Sequence, residues 1–161
     1  MAKQFSMAEL EPLIREVLSN GSTFTLMPRG TSMLPLIREG QDSVILSPLP
    51  DEINPGDVVL YKRDNGQFVL HRVMKVKNGL FTMCGDNQVV FEKGIMQGHI
   101  IASVTALIRD GEEIVFSENE KYKTYTKKIL KEKKRKNIIY LVKLLIKKVL
   151  KKLHIIKKSR V

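Results

Sequence analysis

Two Asn-Gly pairs, Asn65-Gly66 and Asn78-Gly79, constrain this chain more than any other feature. Each lies between apolar runs, and Asn-Gly supplies the two positive-φ positions of a two-residue type I′ hairpin turn. They predict that "DVVLYK", "QFVLHRVMKV" and "LFTMC" form a three-stranded antiparallel meander. The runs "TFTLM", "SVILS", "HIIASVTALI" and "EIVFS" are likewise bounded by turn residues. The fold class expected is therefore mainly β, a small coiled antiparallel sheet or barrel-like domain over residues 23–120. Ahead of it, Ser6 and Glu9 form a capping box, and Met7, Leu10, Leu13, Ile14, Val17 and Leu18 follow at helical spacing. Residues 1–22 thus read as a short helix, kinked at Pro12, and a turn at "SNGS".

The hairpins set a register. If both are two-residue turns, Lys77 pairs with Leu80 and Asp64 with Gln67, and counting along the strands places His71 between Asp86 and Leu60. Directly opposite residues have Cβ atoms roughly 4.5 to 5.5 Å apart, within reach of an imidazole–carboxylate hydrogen bond. A bulge at Gly85 would move Asp86 by one place. Alternation puts His71 on one face with Val69 and Val73, and Arg72 on the other. A strand histidine is ordinarily structural, but one held by a carboxylate is oriented to take a proton from a hydroxyl. Ser32, in "GTSMLP", is the candidate hydroxyl. Gly30 allows close backbone approach and Pro35 stiffens the residues after it, so the loop is expected to hold Ser32 with its own N–H toward a developing oxyanion. Met33 would anchor the loop or line a substrate groove. A neutral His71 would make kcat/KM rise with pH near the ordinary histidine value of ~6.5, raised by Asp86.

Charge divides the chain. Residues 1–120 hold 11 Lys and Arg against 16 Asp and Glu, net −5, whereas residues 121–161 hold 17 against 1, net +16. A lone cysteine, Cys84, excludes an intramolecular disulfide and a cysteine-built zinc site. It reads as a small buried hydrophobe. No cofactor or metal is expected. Charged residues interrupt the amino-terminal helix, and the longest apolar stretch of the tail, "IIYLV", is far below the ~20 residues a membrane span needs. The expectation is a cytoplasmic protein without signal peptide or membrane span.

Four motifs in order, "GTSMLP", "INPGDVVLY", "VLHRV" and "CGDN", resemble the S24/S26 serine peptidase superfamily, which contains the signal peptidases and the LexA-like self-cleaving repressors. The resemblance covers residues 24 to 108. Histidine stands where the bacterial enzymes have a lysine base, as in the archaeal and endoplasmic-reticulum type of signal peptidase. The resemblance implies Ser32 as nucleophile, His71 as base and Asp86 as the acidic residue. It also implies an oxyanion site without the hydroxyl that some members carry at the place of Gly30. A second acidic position is matched only loosely, by Glu92. Asp57, in "PGD", belongs to a family motif but reads as a turn residue.

The tail, residues 121–161, reads as a basic amphipathic segment. Lys121 to Asn137 has the composition of a solvated, disordered stretch. Beyond it Ile138, Leu141, Val142, Leu145, Val149, Leu153 and Ile156 form one helical stripe, with Lys143, Lys147, Lys148, Lys151 and Lys152 largely off it. An anionic membrane surface is the expected partner, at the inner face, through Ile138, Leu141, Leu145, Val149, Lys143 and Lys147. Nucleic acid is not expected, since few aromatics are interleaved for stacking. A chain stopping at Glu120 is expected to keep the fold and activity. The function expected is a signal-peptidase-like serine endopeptidase acting on a protein or peptide precursor. The alternatives are a LexA-like DNA-binding regulator and an inactive membrane-associated module.

Overall fold

A computed structural model describes residues 5–158, with side chains through Lys151. Helix α1 spans Met7–Ser19, and its capping box is formed: Ser6 N–H donates to Glu9 Oε2 at 2.7 Å and Glu9 N–H to Ser6 Oγ at 3.3 Å. The helix continues through Pro12, and its apolar face buries Ile14 and Leu18 against the sheet.

Eight strands make one antiparallel sheet: β1 (Phe24–Leu26), β2 (Ser43–Ser47), β3 (Val58–Lys62), β4 (Phe68–Lys77), β5 (Leu80–Cys84), β6 (Glu92–Met96), β7 (Ile100–Arg109) and β8 (Glu112–Val115). The spatial order is β1-β2-β7-β3-β4-β5-β6, with β8 also on β7. Strands β1 and β6 end the path without meeting, so the sheet is open and not a closed barrel. Strand β6, "EKGIM", escapes the apolar pattern because it is an edge that buries only Ile95. Both faces of the centre are covered. Val58, Leu60, Leu70 and Val104 pack with α1 and the serine loop, whereas Val59, Tyr61, Val69, Val73, Phe81 and Met83 form a second cluster. A strand buried on both faces reads as a continuous apolar run, as β3 does.

The hairpins differ. Asn78 has φ 52° and Gly79 φ 71°, the type I′ turn expected, and Lys77 pairs with Leu80. At the other turn only Gly66 is left-handed, with φ 82°. Gly66 N–H donates to the Arg63 carbonyl and Arg63 N–H to that of Gln67, which makes a three-residue loop. Pairing shifts by one, and His71 faces Val59 instead of Leu60. On the other side of β4 the ladder slips between Val73 and Lys75, so Arg72 pairs with Cys84. The bulge thus lies at Met74, not at Gly85.

Helix α2, Glu120–Lys158, corrects the expectation of disorder over Lys121 to Asn137. Tyr122 stacks on Phe116 with centroids 3.8 Å apart and planes 7° apart. Ile129 is buried, and so are Lys133 and Asn137, which donate to the carbonyls of Gln88 and Val89. Gly56, at φ 112°, lets the helix approach: a Cβ there would lie 3.0 Å from Thr126 Cγ2. From Leu141 to Lys151 every residue is exposed. The helix therefore has a docked half and a free half, and the break falls after Asn137, not at residue 120. Ending the chain after Ile139 should leave the melting temperature nearly unchanged. Ending it after Asn119 removes the packing of Tyr122, Tyr125 and Ile129, each an apolar loss of roughly 1.5–3 kcal/mol or more, and should lower it sharply. Equal melting of the two shortened chains would contradict this division.

Candidate active site

The serine loop is held at both ends. Ser32 is half-buried in a run of turns in which Leu34 N–H donates to the Thr31 carbonyl and Ile37 N–H to that of Met33. Met33 and Ile37 are buried in the core, so apolar packing anchors the residue next to the hydroxyl. Beyond them Asp42, fully buried, accepts hydrogen bonds from Arg38 and from Arg109 of β7. Burial opposes ionisation of Asp42, but the two guanidinium groups overcome it and hold the carboxyl far below its ordinary range.

His71 lies on β4, 2% exposed, on the face of Val69 and Val73 as alternation required. Its expected partner is not there. With the ladder slipped at Met74, the Asp86 carboxylate turns to Arg72: Nε donates to Oδ1 at 2.8 Å and Nη2 to Oδ2 at 2.6 Å. Tyr125 of α2 donates to Oδ2 at 2.9 Å. His71 is held instead by Tyr61, two residue pairs along on β3 and on the same face. Tyr61 Oη lies 3.2 Å from His71 Nδ1 and donates to Glu92 Oε2 at 2.7 Å. A phenol has one proton, so with that proton given to Glu92 the Nδ1 contact is a donation from the imidazole. Neutral His71 is then protonated on Nδ1, and its Nε2 carries a free lone pair. Arg63 completes the chain through Nε and Nη2 to Glu92, at 2.8 and 2.6 Å.

Gly85 is where the base and the serine loop meet. A Cβ on it would sit 2.6 Å from the Ser32 carbonyl oxygen and 3.1 Å from both Ser32 Cβ and His71 Nε2. The serine and the imidazole thus face each other across the one residue type that fits between them. Asn87 fastens this approach, its backbone N–H donating to the Ser32 carbonyl at 2.8 Å and its side chain to that of Thr31 at 3.2 Å. The motif "CGDN" therefore divides its work: Gly85 gives room, Asp86 holds Arg72, Asn87 holds the serine loop.

Burial pushes the His71 pKa down to about 4; Arg63 adds to this, and the carboxylates of Glu92 and Asp86 only partly oppose it. The expectation of a value near that of a free histidine or higher, with Asp86 as cause, is corrected: His71 is neutral throughout the neutral range. Burial and the bond to Glu92 raise the Tyr61 phenol, so it stays protonated. Glu92 is itself partly buried, yet Arg63 and Tyr61 keep its carboxyl low. Lys62 and Lys133 are engaged elsewhere. Lys62 donates to Glu11 at 2.7 Å, and Lys133 to the Gln88 carbonyl.

An open cleft of about 400 Å³ reaches Ser32 and His71, with Arg29, Met33, Leu70 and Gln88 on its walls. Gly30, at φ 94°, gives its N–H to Glu39 Oε1 at 2.6 Å, so that group is not free for an oxyanion. Among the described residues Ser32 N–H makes no hydrogen bond. Asp57 caps a turn by accepting from Asn54 N–H at 2.7 Å, as its sequence context suggested. Ile138, Leu141, Leu145, Val149, Lys143 and Lys147 lie on the free half of α2, away from the cleft. Leu153, His154 and Ile156 lie outside the residues whose side chains are described. Tyr61 was missed because its role depends on the β3–β4 register, and no local motif marks it.

No curated protein and no solved structure matches the chain. The family model described as Peptidase S24-like matches residues 3–105, well over half of the sequence, a span that includes Ser32, Tyr61, His71 and Gly85. The chain belongs to the Peptidase S24-like family.

Proposed function

We propose that this protein is a serine endopeptidase of signal-peptidase-like mechanism that cleaves an extended segment of a protein or peptide precursor. The observation that carries the reading is the convergence of Ser32 and the bare Nε2 of a neutral, buried His71 on Gly85 in an open cleft. Ser32 Oγ attacks the scissile carbonyl while its proton passes to His71 Nε2. The imidazolium formed is oriented by Tyr61 and stabilised through it by the Glu92 carboxylate. The Ser32 N–H faces the developing oxyanion. His71 then returns the proton to the leaving amine, and water repeats the sequence to release the acyl group. Asp86 acts at one remove, holding Arg72 and the turn that carries Gly85 and Asn87.

The sheet also favours an extended substrate. Val73 exchanges backbone hydrogen bonds with Gly56 and Asp57, and Gln67 receives one from Arg63, so odd-numbered residues of β4 turn their peptide groups toward β3. Even-numbered Phe68 and Leu70 turn theirs the other way, where β5 pairs no further than Arg72. Their free edge borders the cleft. A substrate strand added there is aligned by main-chain hydrogen bonds beside Ser32. The regulator reading lacks such support: α1 buries Ile14 and Leu18 in the core, and no helix-turn-helix is present among the described residues.

Labelling with a fluorophosphonate, read by intact mass and peptide mapping, should place one adduct on Ser32 and none in Ser32→Ala. A full-length, folded protein that takes no label and cleaves no peptide would overturn the proposal. Gly85→Ala should abolish labelling, because the contact at 2.6 Å is with backbone and cannot be relieved by a rotamer change.

The base makes a pH prediction. Nε2 accepts a proton only when His71 is neutral, so kcat/KM should be level across the neutral range and fall on acidification through about pH 4. Stability should follow the same group. Between the ordinary histidine value of ~6.5 and the folded value, the unfolded chain binds a proton that the folded chain refuses, so this contribution is lost as pH falls through that window. Tyr61→Phe should lower kcat by roughly ten- to a hundredfold, part of the ~10²–10⁴ supplied by general-base catalysis, and shift the acid limb while KM changes little. An unchanged pH profile in Tyr61→Phe would remove Tyr61 from the mechanism.

A further inference from the structure

The free half of α2 presents a face that the peptidase reading leaves unused. The docked half packs through Tyr122, Tyr125, Ile129, Lys133 and Asn137, one side of the helix at spacings of three and four residues. At about 100° per residue, Ile138 lies half a turn round from Ile129. The exposed stripe it begins, Ile138, Leu141, Val142, Leu145 and Val149, therefore points away from the side that grips the domain. Ile146 widens it, also exposed. Traced back along α2, that outward side carries Lys127, Lys131, Lys134 and Arg135, all exposed. One face of one helix is thus basic over its first half and apolar over its second. Lys143 and Lys147 fall on the opposite side from the apolar stripe.

We infer that this outward face of α2 lies on an anionic phospholipid bilayer, with the basic half on the headgroups and the apolar half inserted among the upper acyl chains. Charge complementarity selects this occupant. A second copy seated on the apolar stripe would bring two helices together in a tail of net charge +16 per chain, and the apolar arc is broader than the narrow seam of a coiled coil. Duplex nucleic acid answers the lysines but leaves Leu141, Leu145 and Val149 in water. A surface that is anionic outside and apolar beneath satisfies both halves at once. The helix rests on the surface and does not cross it: among the described residues no helix is long and apolar enough to span a membrane.

The test uses the full chain and reads binding, so it is independent of cleavage. Co-sedimentation with vesicles of equal parts phosphatidylcholine and phosphatidylglycerol should bind the protein at least tenfold more tightly than vesicles of phosphatidylcholine alone. High salt should weaken the binding but leave a remainder due to the apolar stripe. Leu141→Ser with Leu145→Ser alters only exposed side chains, so its melting should match the parent while the salt-resistant remainder disappears. Lys127→Glu with Lys131→Glu should remove the preference for phosphatidylglycerol. The inference is overturned by failure of the full chain to sediment with the anionic vesicles, or by equal binding of the double-serine variant. It is also overturned by light scattering that shows a dimer dissolved by that variant, or by salt-steep binding of duplex DNA without vesicle binding.

Discussion

The buried ion pair between Arg72 and Asp86 organises this molecule more than any apolar contact does. Both side chains are removed from water, at 0% and 1% exposure, so each charge depends on the other and on the remaining donors and acceptors around them. Those partners come from two parts of the fold, the turn before β3 and helix α2. Nη1 of Arg72 donates to the Gly56 carbonyl before β3, and to the Tyr122 and Thr126 hydroxyls of α2; Tyr125 donates to Asp86. Removing one member of such a pair costs about 3–5 kcal/mol, mostly because the other is left buried and alone. Arginine suits the place because its planar fork meets a carboxylate with two parallel bonds and still has donors to spare.

The pair also decides what His71 can be. Arg72 and His71 are neighbours on β4 and point to opposite faces, so a ladder that gives Asp86 to one denies it to the other. With the carboxylate committed to Arg72, the imidazole is buried without a direct anion and stays neutral. Orientation then falls to a group that can reach Nδ1 from β3 without bringing a full charge into contact, and Tyr61 does this while Glu92 and Arg63 stay nearer the solvent. A carboxylate directly on Nδ1 would raise the basicity of His71. A phenol fixes the same tautomer with less of that effect.

Much of this was legible in the sequence, and the errors have local causes. Alternation located the strands and put His71 and Arg72 on the correct faces, and the order of motifs brought Ser32, His71 and the "CGDN" turn into one region. The register failed by one residue at each edge of β4. Asn65-Gly66 satisfies the composition of a type I′ turn, yet Asn65 does not take a positive φ, and the chain closes with an extra loop residue. The bulge at Met74 is invisible because a bulged apolar residue reads like any other in an apolar run. A single-residue slip is enough to exchange the partner of a catalytic candidate, which is why strand identity is far easier to read than side-chain pairing.

The lysine-rich composition after residue 120 conceals a helix for a related reason: a docking face needs only every third or fourth residue, and here Tyr122, Tyr125, Ile129, Lys133 and Asn137 suffice. Their contacts give the helix its weight in the site. Lys133 and Asn137 hold the carbonyls of Gln88 and Val89, and Tyr125 holds Asp86, so the segment that fastens the serine loop through Asn87 is itself fastened by α2. The Lys133 ammonium also adds to the positive potential that, after burial and Arg63, keeps His71 unprotonated. An element that composition marks as an appendage thereby acts on both requirements of the base, its position and its neutrality. The family match ends at residue 105, before this helix begins. The candidate catalytic groups lie within the matched span, and part of the framework that holds them in place belongs to α2.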